Sequence, residues 1–434
     1  MNDSIPDGAR LVPMTALPRG ATDRLPAACR RRRAVTATLL ATVEAWGYEP
    51  VATPALEYYD VLARGLSDDD RRGCVRFIAA GSGELVTLRA DVTPQIARMV
   101  AQRWGAEIPA DMVHRFSYAA EVLRQPTTGR ERSEVHQVGI ELLGDDDPAA
   151  DAEIVALADA ALRAVGLPEF RLDLAHTRVA RGLWAALDLP EAVQVEAHAR
   201  LARKDRDGLA ALLDALDRPA TLRQAPVALC DLFGPPGAVL PRAEAALAGT
   251  GVEPALTQLR AVLDHLQAFD GDVLDRVTLD LGEARGFDYY SGLRVRGWAR
   301  GVRHPLVRGG RYDGLPRRYG VPRPATGFAI ELDAVEAALA AFGVTVAGAQ
   351  PPAAHLVAVA PTAGDAAARD RAQAHAQRAR AAGQRAWIQP AVSLGQAQAL
   401  ADRAGARALT FIDEQQAGRW THGSQGWART EETT

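Results

Sequence analysis

The chain has 434 residues, 48% of them hydrophobic, and a net charge of −4 at pH 7. That is enough apolar material for roughly two to four cored domains, and it argues against a chain built mainly to hold nucleic acid. Three widely spaced cysteines, Cys29, Cys74 and Cys230, provide neither a disulfide framework nor a zinc spacing, no apolar run nears the ~18 residues of a membrane span, and Met1–Arg19 has no signal-peptide core. A reducing cytoplasm fits this composition best.

After a loose leader, Asp23 and Pro26 open a helix that carries Val35, Leu39, Val43 and Trp46 on one face and stops at Gly47. Arg30 to Arg33 in its first turns read as a solvated face rather than a nucleic-acid patch. Gly47 to Glu57 holds two prolines, which suits an edge or interface strand. Ser67 to Gly73 is a charged turn, and a hairpin forms around Gly81-Ser82-Gly83. In Leu88-Arg89-Ala90-Asp91-Val92-Thr93-Pro94, Pro94 starts a helix through Trp104, and Asp91 or Thr93 serves to cap it.

A strand from Met112 to Tyr118 runs on to Arg124, and Val135 to Glu141 returns as a second strand. Its alternation puts Gln137, Gly139 and Glu141 on one face and His136 on the other. Ala149 to Val165 is an amphipathic helix and Phe170 to Leu174 a strand. Thr177 to Phe269 is helical and alanine-rich, broken at Pro190, Pro226 and Gly234 to Gly237; Arg203, Lys204 and Arg206 within it read as solvated surface. After Pro351 the order strand, helix, strand, helix, strand marks a small separate α/β unit, with Gly423 to Thr434 as a frayed tail. From Pro351 onward that unit carries nine arginines against seven Asp plus Glu, a nearly even balance for a surface that would grip RNA.

The most distinctive stretch runs from Leu279 to Leu332. A strand-like Val277 to Leu281 leads into Arg285-Gly286-Phe287-Asp288-Tyr289-Tyr290-Ser291-Gly292. Gly309-Gly310-Arg311-Tyr312-Asp313-Gly314 and Arg323-Pro324-Ala325-Thr326-Gly327-Phe328-Ala329-Ile330 follow. Glycines here permit sharp turns or close approach to a ligand. The arginine, aspartate and two phenols suit a small molecule with both charges and a ring.

Over residues 17–335 these blocks resemble histidyl-tRNA synthetase, and more closely its non-synthetase relative, the regulatory subunit of ATP phosphoribosyltransferase. The resemblance implies an α/β (α+β) fold of the class II synthetase type: an antiparallel sheet flanked by helices. The core would span 1–176, carrying motifs 1 and 2, and 271–345, carrying the histidine motif and a motif 3 remnant. A helical insertion would fill 177–270, and 352–434 would be a shortened anticodon-binding-like domain. Motif 1, at Gly47 to Glu57, implies a homodimer core.

The resemblance also implies a histidine pocket made of Asp91, Thr93, Arg124, Gln137, Glu141, Arg285, Tyr289 and Tyr290. The chemistry of those residues agrees. Asp91 and Gln137 would take the ammonium, Arg124 and Arg285 the carboxylate, and Glu141 and Tyr290 the imidazole. Asp91 stands where the synthetases carry a longer Glu.

Two departures point away from amino-acid activation. Pro126 replaces the motif 2 glutamate. In motif 3, Ala334 replaces an arginine and Glu331 a glycine. At ~4 Å and an effective dielectric near 20, each such change of charge is worth ~4 kcal/mol before screening. The expectation is therefore a subunit with no catalytic residues, cofactor or metal of its own. It would partner the short-form catalytic subunit in a hetero-octamer, activate it and relay inhibition by L-histidine bound in this pocket or at a subunit interface, with no membrane and no tRNA role; the alternatives are a working histidyl-tRNA synthetase and a histidine-sensing paralogue with another partner.

Overall fold

The computed structural model describes residues 15–105, 109, 112–125, 133–269, 271–283, 289–363, 366–390, 392–414 and 417–430. Arg285, Pro126 and the loop between the motif 2 strands lie outside them. The chain divides into two compact units, Met1–Val346 and Ala347–Thr434.

In the first unit, helix α1 (Pro26–Ala45) precedes the short strand β1 (Glu49–Pro50). Strand β2 (Leu56–Tyr58), helices α2 (Tyr59–Leu62) and α3 (Asp68–Arg72), and strands β3 (Arg76–Ile78) and β4 (Leu85–Leu88) make a small antiparallel sheet in the order β2-β4-β3. Helix α4 (Thr93–Arg103) leads to the long hairpin of β5 (His114–Leu123) and β6 (Glu134–Leu143). Helix α5 (Pro148–Ala164) and strand β7 (Arg171–His176) follow. The helical segment comprises α6 (Thr177–Leu187), α7 (Glu191–Ala202), α8 (Arg206–Asp214), α9 (Ala220–Ala228), α10 (Pro236–Ala246) and α11 (Glu253–Phe269), with the short strand β8 (Phe233–Gly234) before α10. The chain then returns through β9 (Val277–Asp280), β10 (Leu293–Trp298), β11 (Val307–Arg311), α12 (Gly314–Arg318), β12 (Ala325–Glu331) and α13 (Leu332–Ala341).

Among the described residues, nine strands form the main sheet in the order β1-β5-β6-β12-β11-β10-β7-β9-β8. β1 pairs parallel to β5 at the outer edge, as its proline requires, and β7 pairs parallel to β9; the remaining ladders are antiparallel. Helix α5 packs on one face and is pinned there by charge. Arg311, 1% exposed, holds Asp151 of α5 through Nε at 3.0 and 3.1 Å. The opposite face of the central strands carries the residues of interest.

Several expectations need correcting. Arg32 is not solvated: it is 7% exposed and donates to Glu336 at 2.6 Å and Asp333 at 2.9 Å, with Arg24 on the same two carboxylates, so that α1 is tied to α13. The sequence shows an arginine run but not the paired carboxylates three hundred residues on. Pro226 does not break a helix; it lies inside α9, buried, at the loss of one backbone hydrogen bond. Lys204 is no loose surface charge, since its Nζ meets Asp280 of β9 at 2.6 Å.

The second unit has the sheet order β14-β13-β15-β16-β17, built from β13 (Ala354–Val359), β14 (Arg385–Gln389), β15 (Ala406–Ile412), β16 (Ala417–Gly423) and β17 (Gly426–Thr430). Helices α14 (Ala366–Ala381) and α15 (Leu394–Arg403) cover its two faces. Val357 and Val359 pack on Ala368, Ala372 and Ala376, while Leu356 and Ala358 pack on Ala397 and Ala401. A strand covered on both faces shows this division between its odd and even side chains. The stretch read as a frayed tail forms β17, antiparallel to β16 with Gly423 opposite Gly426; Trp427 donates to Asp402 at 2.8 Å.

Candidate functional site

The site is a cavity of about 240 Å³ on the open face of β6, β12, β11 and β10. Glycine makes the room. In the β6–β12 register Gly327 lies opposite Glu141, and in the β5–β6 register Gly139 lies opposite Tyr118. A Cβ at Gly327 would overlap the Glu141 carboxylate and the Ile140 carbonyl, and one at Gly139 would overlap the Tyr118 ring. Side chains at these positions would fill the floor.

Seven of the eight residues expected at a histidine pocket line this cavity: Asp91, Thr93, Arg124, Gln137, Glu141, Tyr289 and Tyr290. They come from the loop before α4, the hairpin β5–β6 and the turn before β10. Arg285 lies outside the described residues. The alternation along β6 delivers Gln137 and Glu141 together, and His136 leaves on the other face, with Nε2 3.7 Å from Glu121. Neither Asp91 nor Thr93 caps α4: the N-cap is Val92, which makes no side-chain capping bond, and Asp91 accepts from the Thr93 backbone N–H at 3.2 Å in a local turn before the helix.

Glu141 is 2% exposed, and its Oε2 has no hydrogen-bond partner among the described residues. Burial pushes its carboxyl well above the ordinary range, opposed by a bond from Thr93 and reinforced by the nearby Asp91. The hydroxyl of Tyr312 is likewise buried without a hydrogen-bond partner among the described residues, and that of Tyr118 has only Thr93 near it. This floor is therefore short of donors and acceptors and suited to a ligand group that carries both. Desolvation also raises Asp91, against the pull of Arg124. Tyr289 and Tyr290 meet edge to face at 5.0 Å, and Tyr289 tilts against Tyr312 at 5.6 Å, forming an aromatic wall. The Tyr290 phenol is pushed up to about 12 by burial, with Arg294 pulling it down, so it stays a donor at neutral pH.

Arg124 is held at the opposite end. Its Nε donates to the Ala90 carbonyl at 2.8 Å, its Nη1 lies 3.4 Å from Asp70 and its Nη2 4.0 Å from Asp91. Asp70, in α3 where the sequence suggested only a charged turn, and Ser67 just before that helix line the cavity and were not anticipated. No local pattern marks them, because their relation to Arg124 is made across some fifty residues of chain.

The charge balance also differs from the sequence expectation. Ala334 is buried in α13, as a small residue can be, and Glu331 does face the cavity. Yet Arg308 of β11 meets Glu331 at 3.2 Å, and Arg294 and Arg296 of β10 line the same wall. The loss of a cation at Ala334 is thus offset by arginines on neighbouring strands, which only the sheet register places here. Among the described residues no cluster of three His, Cys, Asp or Glu side chains could hold a metal.

The histidyl-tRNA synthetase family model matches residues 20–335. A protein of Geobacter metallireducens named ATP phosphoribosyltransferase regulatory subunit is 39% identical over 326 residues, covering 74% of this chain and 73% of that one. One of the same name from Anaeromyxobacter dehalogenans is 37% identical over 335 residues, covering 75% and 91%. Among solved structures, an ATP phosphoribosyltransferase regulatory subunit/histidyl-tRNA synthetase from Bacillus halodurans superposes with a TM-score of 0.75 at 25% identity, over 92% of this chain and 97% of that one.

Proposed function

This chain belongs to the family of ATP phosphoribosyltransferase regulatory subunits built on the histidyl-tRNA synthetase fold, and from that premise we propose that it senses L-histidine and sets the activity of the short-form catalytic subunit in the first step of histidine biosynthesis. One observation carries the reading. Three segments far apart in sequence converge on a single cavity with a buried carboxyl that has one oxygen unpartnered among the described residues, an arginine and a wall of phenols. Free histidine matches each part. Its imidazole N–H would bond Glu141, with the Tyr290 hydroxyl on the second ring nitrogen. Its ammonium would lie between Asp91 and Gln137, and its carboxylate against Arg124.

The chain is proposed to have no turnover of its own and to act through assembly, as a homodimer core within a hetero-octamer in the cytoplasm. Feedback then requires histidine to bind the active and inhibited assemblies with different affinity. The test mixes the purified chain with the short catalytic subunit and follows condensation of ATP with phosphoribosyl pyrophosphate. Stimulation by the chain, reversed by histidine, supports the proposal; no stimulation at any ratio overturns it. The four arginines in the cavity favour one rival, a working synthetase, which histidine-dependent pyrophosphate–ATP exchange at an enzymatic rate would establish.

A further inference from the structure

The cavity also has a wall of arginines that the proposed histidine contacts do not use. Arg294 and Arg296 are two apart on β10, and Arg296 lies directly opposite Arg308 on β11, so three guanidinium groups share one face of the sheet. Like charges directly across a ladder are destabilising unless an anion lies between them. Two carboxylates are near. Glu283 is shared, 3.3 Å from Nη1 of both Arg294 and Arg296, and Glu331 takes Arg308. Asp173, also close to Arg296, is bonded to Thr278. Arg294 is 4% exposed, and its Nη1 faces Glu283 without the alignment of a hydrogen bond. The Tyr290 phenol feels all three arginines.

We propose that Arg294, Arg296, Arg308 and the Tyr290 hydroxyl form a phosphoryl-anion subsite, taking free phosphate or the phosphate of a small ester. It rests on the reading of this cavity as a ligand pocket, but not on histidine being the ligand. Three planar donor groups on one face of the sheet, with a phenol lining the same cavity, suit a tetrahedral dianion better than a carboxylate, and Arg124 already serves a carboxylate. The cavity, at about 240 Å³, is smaller than ordinary drug-sized pockets, and Glu283 and Glu331 beside the arginines would repel a longer polyanion. The ligand class is therefore a monophosphate.

The experiment titrates the full chain calorimetrically with inorganic phosphate, ribose 5-phosphate and malonate at constant ionic strength, and separately with histidine. Saturable phosphate binding that weakens about tenfold or more in the double variant Arg296→Gln/Arg308→Gln is the expected result, with histidine affinity within about threefold of the parent. Tighter ribose 5-phosphate assigns an ester as the source; equal affinities assign free phosphate. Binding of malonate as tight as phosphate, or no loss in the variant, overturns the subsite. Because the double variant also removes cation partners of Glu283 and Glu331, Arg308→Lys, which keeps the charge without the fork, gives a second reading with an intermediate loss. Failure of histidine alone to bind would remove the proposed function and leave this subsite standing.

Discussion

Glu141 holds the site's chemistry and its cost together. A carboxyl whose pKa is raised by folding binds more protons in the native state than in the unfolded chain. Its contribution therefore falls as pH rises from the unfolded value, about 4.3, through the raised native one. Glu141→Gln removes that loss. The variant should melt ~2–4 °C higher than the parent at neutral pH, with the difference shrinking toward pH 4, while histidine binding weakens at least about tenfold because the ring N–H exchanges a carboxylate acceptor for a neutral amide oxygen. Thermal melts across pH, paired with calorimetric titration, check both; a variant that melts lower at pH 7 contradicts the burial argument. Asp70 makes the converse case. It occupies Arg124 at 3.4 Å, where a ligand carboxylate would sit, so Asp70→Asn should tighten histidine binding by ~2–5-fold, in line with a partly exposed ion pair. Glu141 was legible in the sequence because strand alternation fixes its face. Asp70 was not, because nothing local ties the stretch from Ser67 to Gly73 to an arginine beyond the next three strands.

At the scale of elements, the floor depends on how closely β12 lies on β6. Gly327 and Gly314 both sit in conspicuous glycine motifs, and the sequence treats them alike. The structure separates them: a Cβ at Gly327 would meet backbone and the Glu141 carboxylate, whereas one at Gly314 would meet nothing within 4 Å. Gly327→Ala should cost ~1–3 kcal/mol through overpacking and abolish histidine binding, with Gly314→Ala changing neither. Equal behaviour of the two variants in melts and titrations would refute close strand approach as the reason for Gly327. Element types were largely readable from periodicity, as for β5, β6, α4 and α5. The misses have physical causes. β17 pairs along β16 and Trp427 reaches Asp402 of α15, contacts that composition rich in Gly and Thr conceals. Arg32 became structural only because α13 presents two carboxylates to α1.

For the whole molecule, the two compact units have separate apolar cores, and every described residue lining the proposed pocket belongs to the first, Met1–Val346. A ligand stabilises only the cooperative unit whose native form binds it, by RT ln(1 + [L]/Kd), or about 2.7 kcal/mol at a hundredfold excess over Kd. Calorimetry of the full chain should therefore resolve two transitions. Histidine at that excess should move one of them upward by a few degrees and leave the other within about 1 °C. Phosphate should move the same transition as histidine, and the two shifts should add if the subsites are independent. A single transition that shifts as a whole would mean that the units unfold together, and that histidine reports through both. Movement of only the smaller transition, that of Ala347–Thr434, would place the histidine site in the unit where the sequence offers no pocket for it, and would remove Glu141 and Arg124 from the argument.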